Sequence, residues 1–103
     1  MQSHLDTNVS PARFTFAAQK YADELHVVIH ITELDIVQPD AGNPEKIQGL
    51  YYKRFFDALV AAKKNGTPIE SVSVWGLTDG LSWKSDDHPL LFHSDLTPKD
   101  CFY

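Results

Sequence analysis

A single cysteine, Cys101, stands in the 103 residues, which excludes an intrachain disulfide and with it a disulfide framework or a cysteine zinc site. No apolar run approaches the roughly 20 residues of a membrane span, and the Met1 end lacks the basic-then-apolar order of a signal peptide. If the parent protein is exported, its signal lies elsewhere. Basic clusters are missing too: no run of Lys and Arg exceeds the pairs Lys53-Arg54 and Lys63-Lys64 in a chain of formal charge -5. That leaves no electrostatic footprint for nucleic acid or an anionic membrane surface. Internal repeats and low-complexity segments are also absent.

What is present suits one small globular unit. A composition of 43% apolar and 22% charged residues over 103 positions allows one core but not two domains. Aromatic residues are plentiful, with six Phe, four Tyr and two Trp, more than a core of this size demands. Ring faces beside polar side chains are a common way to hold sugars, because pyranose C–H faces pack on an aromatic plane while the hydroxyls need hydrogen-bonding partners. Ordinary core or surface use of the same rings stays open on composition alone.

The letters order the elements as helix, strand, helix, strand. Ser10-Pro11 signals a helix start, with Ser as N-cap and Pro at the first helical position, and Phe14, Ala17, Tyr21 and Leu25 recur at helical spacing up to about Glu24. His26 to Thr32, rich in Val, Ile and Thr, predicts a strand buried on both faces, as parallel strands usually are. After a loop with Pro39, Gly42 and Pro44, a second helical stripe runs through Ile47, Leu50, Tyr51, Phe55, Leu59 and Ala62 and stops at Asn65-Gly66. Ser71 to Trp75 reads as a second short buried strand, and Asp79-Gly80 begins a long loop. Such alternation argues for α/β architecture with parallel strands. Two strands cannot make that sheet alone, and Met1 to Leu5 offers only a strand remnant, so the chain looks like part of a larger barrel or sheet.

Strict alternation along the first strand puts Ile29, Ile31, Glu33 and Asp35 on one face and Val28, His30, Thr32 and Leu34 on the other. His30 is therefore expected to pack toward the helices. Two carboxylates project from the C-terminal end of a buried strand, the end where parallel α/β folds bind ligands. Their backbone positions lie roughly 6.6 Å apart at about 3.3 Å per residue, inside the approximate range of 6.5–9.5 Å for an inverting glycosidase pair. A solvated strand end with Glu33 capping a neighbouring helix fits the same spacing.

Ile31-Thr32-Glu33-Leu34-Asp35-Ile36 resembles the nucleophile strand of glycoside hydrolase family 10. Val74-Trp75-Gly76-Leu77-Thr78-Asp79 followed by Ser82-Trp83 resembles the last barrel strand of that family and its loop. Gln2-Ser3-His4-Leu5 resembles the end of the sixth strand, and Pro89-Leu90-Leu91-Phe92 with Pro98-Lys99 resembles the tail before the final helix. The resemblance covers nearly the whole chain with its motifs in order. It implies an α/β fold that is a C-terminal fragment of a TIM (β/α)8 barrel: the end of strand six, strands seven and eight, and the intervening helices. Residues 1–103 are then a partial catalytic domain, since a complete barrel needs about 250 residues.

By the same resemblance the parent is a retaining endo-1,4-β-xylanase, secreted or extracellular, acting on xylan or xylo-oligosaccharide with no metal and no other cofactor. Glu33 is implied to be the nucleophile. His4 is implied to hydrogen-bond Glu33 while Asp35 fixes the imidazole from its far side, which replaces the inverting-pair reading. Trp75 and Trp83 are implied to wall the sugar site with a pocket fitted to a pentose, and Gln2 to contact substrate. The general acid/base belongs to a strand outside this chain, so the isolated chain is expected to be inactive and to associate with the missing N-terminal part of the barrel or with itself. The run Lys99-Asp100-Cys101-Phe102-Tyr103 departs from the Lys-Pro-Ala-Tyr-like pattern of the family. A different class remains: a non-catalytic carbohydrate-binding or interaction module that keeps the two indoles and has no catalytic use for Glu33.

Overall fold

Three parallel strands alternate with two long helices, and their order decides the architecture. A computed structural model describes residues 1–103. The strands are β1 (Gln2–Leu5), β2 (Ile29–Ile36) and β3 (Ile69–Val74), joined by α1 (Pro11–Leu25) and α2 (Pro44–Lys64). The sheet order is β1-β2-β3 and both pairs are parallel. Right-handed crossovers between strands laid down in sequential order put both helices on one face, and there Phe14 of α1 meets Phe55 of α2 with ring centroids 5.1 Å apart. A doubly wound sheet reverses direction and carries helices on both faces. One helical layer over a sequentially wound sheet is the wall of a (β/α)8 barrel, with three strands of it here.

The helices sit in the expected stretches but turn different faces inward. Ser10 occupies the N-cap with Pro11 behind it, yet its side chain makes no capping bond; the Arg13 N–H is taken by the Ser10 carbonyl instead. The buried line of α1 is Pro11, Phe14, Ala18 and Ala22, while Tyr21 and Leu25 are exposed. Small side chains continue the inward line behind Phe14, and Tyr21 and Leu25 of the expected stripe turn outward. His26 then ends α1 in the left-handed conformation, φ 53°, donating its N–H to Ala22. That stop delays the strand: Val27 and Val28 are exposed, and β2 begins only at Ile29. On α2 the inward face is Gln48, Tyr51, Tyr52, Phe55 and Leu59, with Leu50 exposed. The helix runs out at Asn65, and Gly66 takes the left-handed φ of 100° that the turn requires. The Tyr51 and Tyr52 hydroxyls donate to the carbonyls of Val9 and Pro89, each at 2.6 Å. Burial pushes both phenols above their ordinary pKa, so both stay protonated donors.

Strict alternation fails on β2. The partners of Ile31 and Leu34 on β3 are Val72 and Val74, so three steps on β2 match two on β3. That extra residue is a β-bulge, and it reverses which face the following side chains take. Ile29 and Ile31 before it and Leu34 and Ile36 after it all join the core with the helices. His30, Thr32, Glu33 and Asp35 are left on the opposite face. The expectation that His30 packs toward the helices is therefore wrong: it is exposed, its Nδ1 2.8 Å from Ser71 Oγ. The strand is not buried on both faces either, because His30 and Thr32 lie where a closed barrel would set its interior. A second register shift, between Ile29 and His30, puts an extra residue on β3, after which Val72 packs on the core and Ser71 and Ser73 are exposed.

After β3 the chain folds back over the strand ends. Gly76, at φ 125°, has Leu90 Cδ1 2.8 Å from where a Cβ would stand, so no other residue fits there without displacing buried Leu90. Asp79 is buried rather than looped into solvent: its Oδ1 accepts the Leu90 N–H at 2.9 Å, and the fully buried Lys99 ammonium lies 2.8 Å from its Oδ2. Gln48 of α2 donates to the Ile36 and His88 carbonyls, both at 2.7 Å. These bonds seat the tail on α2, where Cys101 is half-buried and burial raises its thiol pKa above the ordinary value.

Candidate active site

The short strand β1 and the C-terminal half of β2 bring together Gln2, His4, Glu33 and Asp35, and the loop after β3 adds Trp83. Register explains the first four. Gln2 lies opposite Glu33 and His4 opposite Asp35 across the parallel pair, and the bulge turns both carboxylates to the face left free by the helices.

The Glu33 carboxylate is held at both oxygens. The Gln2 amide donates to Oε1 at 2.9 Å, and His4 Nε2 stands 3.1 Å from Oε2. The other imidazole nitrogen, Nδ1, lies 2.9 Å from Asp35 Oδ2. Ionised carboxylates only accept, so both imidazole contacts are hydrogen bonds when the ring carries two protons, or when one carboxyl group supplies the proton. Asp35 Oδ2 also accepts from the Trp83 indole N–H at 2.7 Å, while Oδ1 is buried without a partner. The indole packs edge-on to the His4 ring, centroids 4.7 Å apart at 66°, with the Lys84 ammonium 5.0 Å from its own centroid.

Accessibility separates the two acids. Glu33 keeps 19% of its side-chain surface open, whereas Asp35 has none. A carboxylate without exposure cannot meet a water or a glycosidic oxygen, so the arrangement argues against an inverting pair built from these two. It offers one accessible carboxylate, doubly hydrogen-bonded and fixed through an imidazole to a second, buried one. A helix-capping role for Glu33 has no counterpart here.

Of the remaining sequence candidates, Trp75 continues β3, its N–H bonded to Leu34 O at 2.8 Å. Alternation from Val72, which packs on the core, puts half-exposed Trp75 on the face of the sheet that carries Glu33. Its ring makes none of the contacts that tie Trp83 to Asp35 and His4. Gln2 bonds Glu33 directly, a contact the sequence reading did not foresee. The bulge was likewise missed, although the letters hold its signal: the aliphatic positions 29 and 31 are odd, and 34 and 36 are even.

The profile of Glycosyl hydrolase family 10 matches residues 1–103. The bifunctional endo-1,4-beta-xylanase XylA of Ruminococcus flavefaciens is 36% identical over 102 residues, which cover 99% of this chain and 10% of that protein. Endo-1,4-beta-xylanase A of Thermoanaerobacterium saccharolyticum is 34% identical over 106 residues, covering 100% of this chain and 9% of that one. Among solved structures, an intracellular xylanase of T. saccharolyticum, a mutant in complex with xylotetraose, superposes with a TM-score of 0.85 at 32% identity, over 99% of this chain and 31% of that chain. The chain thus spans less than a third of the length of each of these three proteins.

Proposed function

The chain belongs to glycosyl hydrolase family 10, a family of xylanases with TIM-barrel folds, and from that premise we propose that it supplies the nucleophile side of a retaining endo-1,4-β-xylanase site. Glu33 attacks the anomeric carbon of a xylosyl unit, forming a glycosyl-enzyme ester that water then hydrolyses. The observation that carries this reading is the accessible Glu33 carboxylate, held at one oxygen by Gln2 and at the other by His4 at the end of β2.

The surrounding residues have distinct tasks. His4 and Gln2 keep the attacking oxygens aimed, and Asp35, closed to solvent, holds the imidazole in place when Glu33 loses its charge in the ester. The exposed indoles of Trp75 and Trp83 offer faces for the sugar. Retention requires a second carboxyl group about 5–5.5 Å from the nucleophile to protonate the leaving oxygen. Asp35 is buried behind His4 and cannot serve, so the acid comes from outside these residues and the chain alone does not turn over xylan. Residues 1–103 act as one part of the catalytic domain, and the partner they need is the remainder of the barrel.

Two exposed indoles also suit a module that binds sugar without cleaving it. Joining residues 1–103 to the remainder of a family 10 domain, in place of its matching segment, separates the two readings. The completed barrel is expected to hydrolyse xylan, and Glu33→Gln to lower kcat by at least about 10³-fold, the scale of losing a covalent nucleophile. Hydrolysis that survives Glu33→Gln, or sugar binding with no hydrolysis in either protein, overturns the enzyme reading.

A further inference from the structure

We infer that Trp83 is a positioning residue for the Glu33–His4 pair, acting through Asp35 as the donor that fixes this buried carboxylate against the imidazole. The inference rests on the reading of Glu33 as nucleophile and adds a role that a sugar-stacking ring would not have.

The donor count at Asp35 decides the matter. Its side chain is shut off from solvent, so no bulk water replaces a missing donor. Oδ1 has no partner, and the side chains hydrogen-bonded to Oδ2 are His4 at 2.9 Å and Trp83 at 2.7 Å. If the indole N–H goes, the Asp35 carboxylate loses one of the two groups that fix it and can shift in its site. Its hold on His4 Nδ1 loosens with it, and His4 is then free to turn from Glu33 Oε2.

Geometry adds a second grip. The Trp83 ring meets the His4 ring edge-on at 4.7 Å, so one side chain fixes Asp35 by its N–H and His4 by its packing. Lys84, 5.0 Å from the indole centroid, draws electron density from the ring and strengthens the N–H as a donor. The ring is more than half exposed and comes from the loop after β3, whereas His4 and Asp35 sit on β1 and β2. A sugar packed on that ring and the charge on Asp35 therefore act on one another through a single side chain: the loop completes the strand-borne relay.

The first test is the indole N–H signal of the 103-residue chain labelled with ¹⁵N at tryptophan. The Trp83 resonance is expected downfield of that of Trp75, and Asp35→Ala is expected to move it upfield while leaving Trp75 in place. A Trp83 signal indifferent to Asp35→Ala overturns the inference. If the chain alone gives no dispersed spectrum, the same signals are read in the completed barrel.

The second test replaces Trp83 in the completed barrel by its benzothiophene analogue, which keeps the ring shape but puts sulfur where the N–H was. We expect kcat about tenfold lower with KM changed by less than about twofold, the size of one hydrogen bond to a charged acceptor. Trp83→Phe, which also shrinks the wall, lowers kcat similarly and raises KM. An analogue as active as the parent sinks the inference. Glu33→Gln in the same barrel tells the two levels apart: if it abolishes hydrolysis while the analogue has no effect, only the Trp83 role fails. If Glu33→Gln itself retains hydrolysis, the nucleophile reading fails first.

Discussion

On one side of β2, Ile29, Ile31, Leu34 and Ile36 are each at most 4% exposed and share a core with α1 and α2. On the other side His30 and Thr32 are open to solvent while Glu33 and Asp35 are bound into a polar relay. The same eight residues thus carry a packing face and a chemical face, and the boundary between them is one bulged residue rather than the regular pleat. Burial of four aliphatic side chains, at about 1.5–3 kcal/mol each, outweighs the disturbance of one ladder step. Packing therefore imposes the bulge, and the bulge aims the carboxylates.

Placing a carboxylate on the packed face attacks this comparison most directly. Leu34, without exposed surface in the core shared with α1 and α2, becomes an unpaired buried acid in Leu34→Asp, which adds the desolvation of a charge to a loss of about 1.5–3 kcal/mol of apolar burial. That change is expected to abolish cooperative unfolding in urea. A Leu34→Asp chain that still unfolds cooperatively at the parent midpoint would show that the bulge does not sort the two faces.

A smaller loss is expected at the tail, where a charge pair sits on the packed side of the molecule. Lys99→Met leaves Asp79 buried without its cation, costing about 3 kcal/mol in urea unfolding, and adding Asp79→Leu recovers most of it. Equal losses in the single and double variants would show that Lys99 contributes through packing of its stem alone. The smallest effect belongs to the open face: His30→Ala is expected to shift stability by no more than about 0.5 kcal/mol. A cost near that of a core substitution would mean the two faces are not as different as their exposure indicates.

The sequence carried much of this in its element order and its motifs. Pro11 marks the start of α1 and Gly66 the end of α2, because these residues act locally through φ and a missing or surplus N–H, whereas Pro44, assigned to the loop, opens α2. Gln2, His4, Glu33 and Asp35 could be matched motif by motif, and parallel register then sets them side by side. Three things escaped. The bulge did so because a period-two reading assumes one residue per step. The inward line of α1 shifted from Tyr21 and Leu25 to Ala18 and Ala22, because small side chains rather than the largest apolar ones fill the face turned to the core. The pairing of Asp79, Lys99 and Gln48 was invisible because such residues are usually exposed, and only the folded-back tail closes water out. The Trp83 N–H bond to Asp35 spans 48 positions and leaves no trace in local spacing.

The central claim is that Glu33, set by the bulge between Gln2 and His4, is the atom donor to the sugar. An activated 2-deoxy-2-fluoro xylobioside tests it in the completed barrel, because a good leaving group needs no acid while the fluorine slows release of the ester by destabilising the oxocarbenium-like transition state. Peptide mass mapping after inactivation is predicted to find one fluoroxylobiosyl ester, on Glu33. A label on any other carboxylate, or turnover with no label at all, contradicts the account.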